Sequence, residues 1–179
     1  KKAQKVLDFY LENVNQDREI YNAYFTNGEV FEYVIHSGPN AWLGIAALCY
    51  TKETKDKRYM AIAQKVSSNL FAMMDVEGGL QGGPEDLWYS TEHNLDALAF
   101  FNLFYELSGD GKYRNAANKI ERWISRYAYT QYGPSIKRGR GDSTIATDTY
   151  AWSIAAIGPD KLYSLKMDPE AILKFAVEN

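Results

Sequence analysis

Along the first fifteen residues, apolar side chains recur every three to four positions, which is the spacing of one face of an α-helix. This pattern predicts an amphipathic surface helix over residues 2–15. Between residues 20 and 35 the pattern changes to a rough alternation of apolar and polar residues around Asn27-Gly28. Because Asn-Gly is a favoured two-residue turn, a small β-hairpin is predicted near residues 20–35.

Beyond residue 40, two kinds of helical pattern alternate. Residues 41–50 are almost entirely apolar, which predicts a helix buried on most sides, with Cys49 as a small core residue. After a polar turn, residues 58–74 predict an amphipathic outer helix. The same order then returns twice. The later predicted helices span residues 95–107 and 113–127, and two more begin near Thr147, ending at Gly158-Pro159, and at Asp168-Pro169 as N-cap and first turn.

The apolar runs repeat with a period of 54 residues, since Asn40, Asn94 and Asp148 each open one of them. The third copy is less regular, because aligning Trp42 with Trp152 gives an offset of 110 residues. A fixed period of this length is typical of stacked supersecondary units that cannot bury their apolar faces alone. We therefore predict an all-α fold of helical hairpins, each with an apolar inner helix and an amphipathic outer helix.

The loops that lead from an outer helix to the next inner helix carry most of the unusual side chains. One holds the glycine-rich segment 78–84, and the other, residues 132–144, holds Gly133-Pro134 and a run of arginines and glycines. Loops held by a rigid scaffold are where binding and catalytic residues concentrate. This asymmetry predicts a single functional face, with Trp88, Tyr89, Glu92, His93, Arg138, Arg140 and Asp148 as its candidate residues.

Composition narrows the class of protein. The chain of 179 residues is 46% hydrophobic and 24% charged, as expected of one globular domain. Its net charge of −3 argues against a nucleic-acid partner, and no stretch approaches the roughly 20 apolar residues of a membrane span. With one cysteine, no disulfide can form within the chain. Because the sequence opens directly on a helical pattern, we expect its natural start to lie upstream, and the compartment is not predicted.

These features resemble the (α/α) toroid, and within it the six-hairpin glycosidase-like superfamily of carbohydrate-active proteins. The resemblance is carried by two complete hairpins and by the Gly-Gly-Leu-x-Gly-Gly loop at 78–83, and it covers about residues 37–179. It also includes the segments 90–96 and 147–152. The resemblance implies an oligo- or polysaccharide substrate in a cleft at the N-terminal ends of the inner helices. Many members are inverting hydrolases with a carboxylic acid and a carboxylate; others are lyases or epimerases.

The length departs from that resemblance. Six hairpins at this period would need roughly 320 residues, and only about three units fit. We therefore expect residues 1–179 to form a single hairpin-repeat domain that is incomplete relative to a full six-hairpin barrel. The oligomeric state is not predicted.

Three carboxylates are candidates for the chemistry. Glu92 and Asp96 are four residues apart, so on a helix they share one face, and their repulsion raises at least one pKa, as a general acid requires. Asp148 lies at the equivalent end of the next inner helix. We predict Glu92 as proton donor and Asp148 as the base that activates water. The structural alternatives are a helix-dipole role for Glu92, a cation partner for Asp96, and a helix cap for Asp148, in competition with Thr147.

The predicted substrate-binding residues surround these carboxylates. His93 is expected to bond a sugar hydroxyl, Glu92 or Asp148, or else to be structural, and neither histidine has zinc-ligand spacing, so no metal or cofactor is predicted. Trp88 and Tyr89 follow a polar segment, which favours ligand contact. The full predicted set is His93, Asp96, Trp88, Tyr89, His36 and Arg140.

Other aromatic and basic residues have competing interpretations. Trp42 and Trp152 lie inside apolar helical runs, so core packing is predicted for them rather than sugar stacking. Arg138 and Arg140 could hold a uronate or sulfate through paired hydrogen bonds, whereas solvated loop charges are the alternative.

Two functions follow from these residues. The preferred one is a glycan-processing enzyme, most simply a glycoside hydrolase with an acid/carboxylate pair. The alternative is a non-catalytic module that binds carbohydrate or protein. In that case the acidic residues would be caps or salt bridges and the aromatic residues an open platform.

Overall fold

Helices form most of the computed structural model, which describes residues 2–130 and 136–178. Two short antiparallel strand pairs accompany them, so the predicted all-α class with a small hairpin near residues 20–35 is confirmed. The helices are α1 (Lys2–Asn15), α2 (Ser37–Thr54), α3 (Met60–Met73), α4 (Thr91–Ser108), α5 (Gly111–Trp123), α6 (Thr147–Ile157), α7 (Pro159–Ser164) and α8 (Pro169–Glu178); the strand pairs are β1 (Ala23–Tyr24) with β2 (Val30–Glu32) and β3 (Lys137–Gly139) with β4 (Asp142–Ile145).

The helices pair into three hairpins, α2 with α3, α4 with α5 and α6 with α8, while α7 links the last two elements. The inner helices α2, α4 and α6 lie side by side with α4 in the middle. The outer helix α5 continues into one π-helical turn, Ile124–Ala128. Leu48, Leu98 and Phe100 of the inner helices are fully buried, so the core lies between the inner and outer layers. The predicted hairpin repeat is therefore present three times.

The inner helices α2 and α4 run in the same direction. At their N-terminal ends, the Ser37 hydroxyl lies 3.1 Å from His93 Nδ1. At their C-terminal ends, Lys52 Nζ donates to Glu106 Oε1 at 2.8 Å. Because corresponding ends meet, both N-terminal ends lie on one rim of the molecule, where the sequence placed the candidate residues.

Asn94 fastens the glycine-rich loop to that rim. Its side-chain amide accepts the Leu80 N–H at 2.8 Å and donates to the carbonyl oxygens of Leu80 at 3.1 Å and Ser90 at 2.8 Å. Asn40, at the equivalent position of α2, is also buried and donates to the carbonyl oxygens of Ile20 and His36. Asn40 and Asn94 thus hold the incoming loops against α2 and α4.

Gly44 lets α2 and α4 approach closely. A Cβ atom at this position would lie 2.4 Å from Phe100 Cε2 and 2.9 Å from Val66 Cγ1. Both neighbouring side chains are fully buried, so neither can move aside without disturbing the core.

We expect Gly44→Ala to lower the free energy of unfolding by about 1–3 kcal/mol, the usual cost of overpacking a core. Gly111→Ala is the matched control, because a Cβ there meets nothing within 4 Å. On helix propensity alone, the control should be stabilised by up to about 1 kcal/mol. Urea unfolding of both variants measures the difference, and equal stabilities would contradict the close approach.

The turn of the first hairpin differs from the prediction. Gly28 N–H donates to the Phe25 carbonyl oxygen at 2.9 Å, so Thr26 and Asn27 are the central residues of the turn. Gly28 follows them with a φ of +91°, whereas Asn27 is not among the positive-φ residues. The predicted two-residue Asn-Gly turn is wrong, because that turn needs a positive φ at both central residues. Gly28 instead takes the left-handed position that completes a three-residue loop.

Cys49 is exposed, so its prediction as a core residue is wrong. Among the described elements, α2 has an inner-helix neighbour only in α4, which leaves another of its faces uncovered. Although α2 is apolar on nearly all sides, it is therefore not buried on every side. In the second long loop, β3 and β4 form a hairpin that was not predicted, and Gly133-Pro134 lies outside the described residues. Across the described ranges, every helix is too short or too polar to cross a bilayer.

Candidate functional site

Asp96 lies on the middle inner helix, near the rim formed by the N-terminal ends of the inner helices. It is the sixth residue of α4, while Trp42 and Trp152 are the sixth residues of α2 and α6. The Trp152 indole N–H donates to Asp96 Oδ1 at 2.8 Å, and the two indole rings stack with centroids 5.7 Å apart. Asp96 itself is only 2% exposed. Three equivalent positions of the repeat thus meet at one point.

Burial is the main cause of an unusual pKa at Asp96. It raises the pKa of the carboxyl to about 7, although the hydrogen bond from Trp152 opposes the shift. The carboxylates of Glu92 and Asp148 raise the pKa of Asp96 further, so both charges lie close enough to act on it. Asp96 therefore carries a proton for much of the time near neutral pH.

Glu92 and Asp148 occupy equivalent places, because each is the second residue of its inner helix. Both side chains are exposed at the rim. The equivalent of Asp148 is thus Glu92, and the sequence alignment of Asp148 with Asn94 is wrong by two residues. The alignment of Trp42 with Trp152 is correct, because each is the sixth residue of its inner helix. Asp96 is the corresponding residue of α4, 54 residues after Trp42 and 56 before Trp152.

The structural alternatives for the three carboxylates have different outcomes. Ser90 caps α4 by accepting the His93 N–H at 3.3 Å, and Glu92 lies in the first turn, where a negative charge interacts favourably with the helix dipole. Neither Thr147 nor Asp148 is the N-cap of α6, because Ala146 is at that position. Asp96 accepts from an indole rather than from a cation. The cap and cation alternatives are therefore wrong.

The predicted core packing is wrong for Trp42, whereas Trp152 packs partly against the core. Trp42 is 50% exposed and Trp152 is partly buried. The inner helices carry apolar residues on all sides, so their sequence does not distinguish the face toward the core from the face toward the rim. The two indoles stack beside Asp96, and Trp42 leaves an aromatic surface exposed.

His93 is a neutral, partly buried histidine beside these carboxylates. Burial, with His36 as a second cause, lowers the pKa of His93 to about 4. The single hydroxyl proton of Ser37 goes to the Gln81 carbonyl oxygen at 2.9 Å, so we assign the proton between Ser37 and His93 to His93 Nδ1. Nε2 is then an acceptor. The predicted bonds from His93 to Glu92 or Asp148 are absent from the described hydrogen bonds.

Trp88 lies between the two histidines. Its ring centroid is 5.4 Å from His36 and 5.4 Å from His93, and the side chain is 44% exposed. Gly82 allows this placement, because a Cβ there would lie 2.3 Å from the indole. His36 in turn accepts from Asn22 Nδ2 at 2.9 Å through Nδ1 and directs Nε2 toward Asp86 Oδ2 at 3.6 Å.

A cleft of about 370 Å³ opens beside Trp88. Its walls bring together most of the residues predicted from the sequence, and His36 lies behind Trp88. Glu92 lies in the wall of this cleft, and both Glu92 and Asp148 are near enough to Asp96 to raise its pKa. The predicted residues in the walls are Trp88, Tyr89, Glu92, His93, Arg138 and Arg140.

Arg140 and Tyr89 form a fixed wall of this cleft. Arg140 forms an ion pair with Glu77 at 2.9 Å and lies over the Tyr127 ring at 4.3 Å. Tyr89 donates its hydroxyl to Asp75 Oδ2 at 2.9 Å and stacks on a buried tryptophan. Both arginines are exposed, as the alternative of solvated loop charges predicted, but Arg140 is also paired with Glu77. In the described part of the chain, no three His, Cys, Asp or Glu side chains are grouped so as to hold a metal ion.

No protein-family model and no curated protein matches the chain. Among solved structures, a glycoside hydrolase family 76 mannosidase, Bt3792 from Bacteroides thetaiotaomicron VPI-5482, is similar with a TM-score of 0.67 at 14% identity over 81% of this chain and 44% of its own. An inactive variant of the α-1,6-mannanase GH76A of Salegentibacter sp. HEL1_6, in complex with α-1,6-mannotriose, gives 0.63 at 21% identity over 84% and 47%. The fold is that of part of an (α/α) toroid.

A third solved structure extends the likeness over nearly the whole chain. It is a variant of UGL, an unsaturated glucuronyl hydrolase, with dGlcA-Glc-Rha-Glc, and it gives a TM-score of 0.69 at 14% identity over 98% of this chain and 50% of its own. The chain therefore spans about half the length of the toroid structures it matches. At these identities the likeness establishes the fold, and the roles of individual residues depend on the geometry of this chain.

Proposed function

We propose that this chain carries carboxyl groups of a glycoside hydrolase that acts on an oligo- or polysaccharide. The observation that supports this most is the combination of two exposed carboxyls at equivalent positions, Glu92 and Asp148, with the buried Asp96, whose pKa is raised to about 7. Glycoside hydrolysis requires such a division, because one carboxyl must give a proton to the leaving oxygen while another remains a base.

We assign the roles within this group as follows. Glu92 donates the proton to the glycosidic oxygen, and Asp148 activates the attacking water. Asp96, one helical turn after Glu92, holds the proton in the resting protein and returns it to Glu92, since neighbouring carboxyls titrate as a set. We further propose inversion at the anomeric carbon, which requires roughly 6.5–9.5 Å between donor and base.

The cleft walls supply substrate contacts in this proposal. The exposed face of Trp88 packs against a sugar ring, and the free Nε2 acceptor of neutral His93 takes a hydrogen bond from a sugar hydroxyl. Tyr89 and Arg140 are held by Asp75 and Glu77, so they give a rigid wall rather than a free cation for a uronate.

Glu92→Gln is expected to lower turnover by at least about a hundredfold, the usual contribution of a positioned general acid. The assay measures reducing-end release by the full chain on α-1,6-mannotetraose and on an unsaturated-glucuronyl oligosaccharide. Glu53→Gln is the matched control, because Glu53 is exposed in the last turn of α2, at the opposite end. An unchanged melting temperature with undiminished turnover in Glu92→Gln would refute the donor assignment.

A second candidate is carbohydrate binding without turnover. The open Trp42 indole, 50% exposed beside its stacked partner, favours it, because such a surface binds sugar whether or not a bond is cleaved. Calorimetric binding of the same oligosaccharides by wild-type protein, with no products after prolonged incubation, would favour this candidate over the hydrolase.

A further inference from the structure

A second cavity of about 390 Å³ lies between the first β-hairpin and the glycine-rich loop. Its lining includes neither the carboxyl groups of Glu92, Asp96 and Asp148 nor any residue that lines the first cleft. It is lined on the hairpin side by Tyr21, Tyr33 and Val34 and on the loop side by Pro84, Glu85 and Asp86.

Two tyrosine rings form a corner in this cavity. The Tyr21 and Tyr33 centroids are 5.3 Å apart with planes inclined by 67°, and Tyr33 is 78% exposed. No core packing accounts for a ring so open to solvent. An exposed aromatic face beside apolar side chains is suited to the C–H face of a sugar ring, because both surfaces are flat and weakly hydrated.

The charged groups of the cavity are of one sign. Glu85 is exposed, and Asp86 has its carboxylate 3.6 Å from His36 Nε2. The lining contains no lysine or arginine among the described residues. Carboxylate oxygens accept hydrogen bonds from sugar hydroxyls, whereas they repel a uronate or sulfate.

A short chain of side-chain contacts links the lining of this cavity to the lining of the first cleft. Asp86 faces His36, whose ring lies 5.4 Å from the ring of Trp88. The ring of Trp88 also contacts His93 and forms a wall of the first cleft. Trp88 and His36 thus lie between the two sites, where a sugar chain that occupied both would pass.

We infer that this cavity is a further subsite that binds a neutral glycosyl unit, so the glycan is an uncharged polymer rather than a polyuronate. The inference rests on the proposed function for the position of the reacting bond. It does not depend on turnover, because binding at the tyrosine corner can be measured without hydrolysis.

The test is calorimetric titration of the full chain carrying Glu92→Gln, so that no ligand is consumed. The probes are α-1,6-mannobiose, α-1,6-mannotetraose and tetragalacturonate. We expect Tyr33→Ala to weaken mannotetraose binding by about tenfold, the usual loss of an aromatic anchor, and to leave mannobiose binding unchanged. Tyr33→Phe should keep the tetraose affinity, because it retains the ring.

Tyr163→Ala is the matched control, since Tyr163 is also exposed but lies on α7, beyond the C-terminal end of α6. The subsite proposal is overturned if Tyr33→Ala has no effect, if it weakens the binding of mannobiose and mannotetraose equally, or if mannotetraose does not bind. Tighter binding of tetragalacturonate than of mannotetraose overturns the neutral-sugar assignment. Tyr33-dependent binding without turnover in the wild-type chain would refute only the hydrolase, whereas turnover without Tyr33 dependence would refute only the subsite.

Discussion

Replacing Asp96 with asparagine is expected to lower turnover by at least about a hundredfold and to stabilise the fold above pH 7 relative to wild type. The folded pKa of Asp96 is about 7, above the value of about 3.9 in an unfolded chain. The folded state therefore binds the proton more tightly, and wild-type stability falls as pH rises from about 4 to 7. That loss is on the order of 4 kcal/mol at most, at about 1.4 kcal/mol per pKa unit. The asparagine amide cannot ionise, so the variant escapes this loss.

Asparagine also keeps an oxygen to accept the Trp152 indole N–H, so the site should retain its geometry. The measurement is urea unfolding at several values between pH 4 and 8, together with turnover at each. Asp160→Asn, an exposed change on α7, is the control and should follow the wild-type profile. Parallel profiles for Asp96→Asn and wild type would show that the carboxyl is not protonated in the folded protein.

Replacing His93 with asparagine is expected to remove a loss of stability on the acid side. The folded pKa of His93 is about 4, below its unfolded value of about 6.5. The folded state binds fewer protons in this range, so the contribution of His93 to stability is present above pH 6.5 and is lost as pH falls toward 4. The loss is on the order of 3 kcal/mol. The introduced amide does not take up a proton and can still donate to Ser37.

Between pH 4 and 6.5, the contributions of Asp96 and His93 to the pH dependence of stability have opposite signs. Wild-type stability should therefore change little with pH in that range, and each variant should reveal the slope of the other group. Denaturant midpoints from pH 4 to 7 measure both slopes. His36→Asn is the matched histidine control and should keep most of the wild-type profile, because burial is the first cause of the shift at His93. A wild-type slope unchanged by His93→Asn would disprove the second prediction.

Much of the fold could be predicted from the sequence because its helices have a strong and repeated signal. The apolar run after Asn40 and the run after Asn94 share length, spacing and the polar turn that follows. Both asparagines also hold a loop against a helix, so their recurrence has a physical cause. The turn around Gly28 could not be predicted in detail, because a single glycine satisfies more than one turn type.

The candidate site was only partly predictable. Its position followed from the loops, and the four-residue spacing correctly placed Glu92 and Asp96 on one face. The sequence could not show that burial, rather than repulsion by Glu92, is the main cause of the shift at Asp96. Nor could it show that Trp42 and Trp152 meet there, since their burial depends on which neighbouring helices are present. The ion pair of Arg140 joins two distant loops, which no local pattern reveals.

The second and third inner helices are two residues further apart in the sequence than the first and second, yet Trp152 still reaches Asp96. The extra length is taken up before α6, in the segment that includes the β3–β4 hairpin. The positions of the carboxyl groups on the inner helices and the shape of the cleft mouth are thereby set by different segments of the chain. Exchanging that hairpin for a longer graft should reshape the mouth of the cleft while the carboxyl groups keep their mutual geometry.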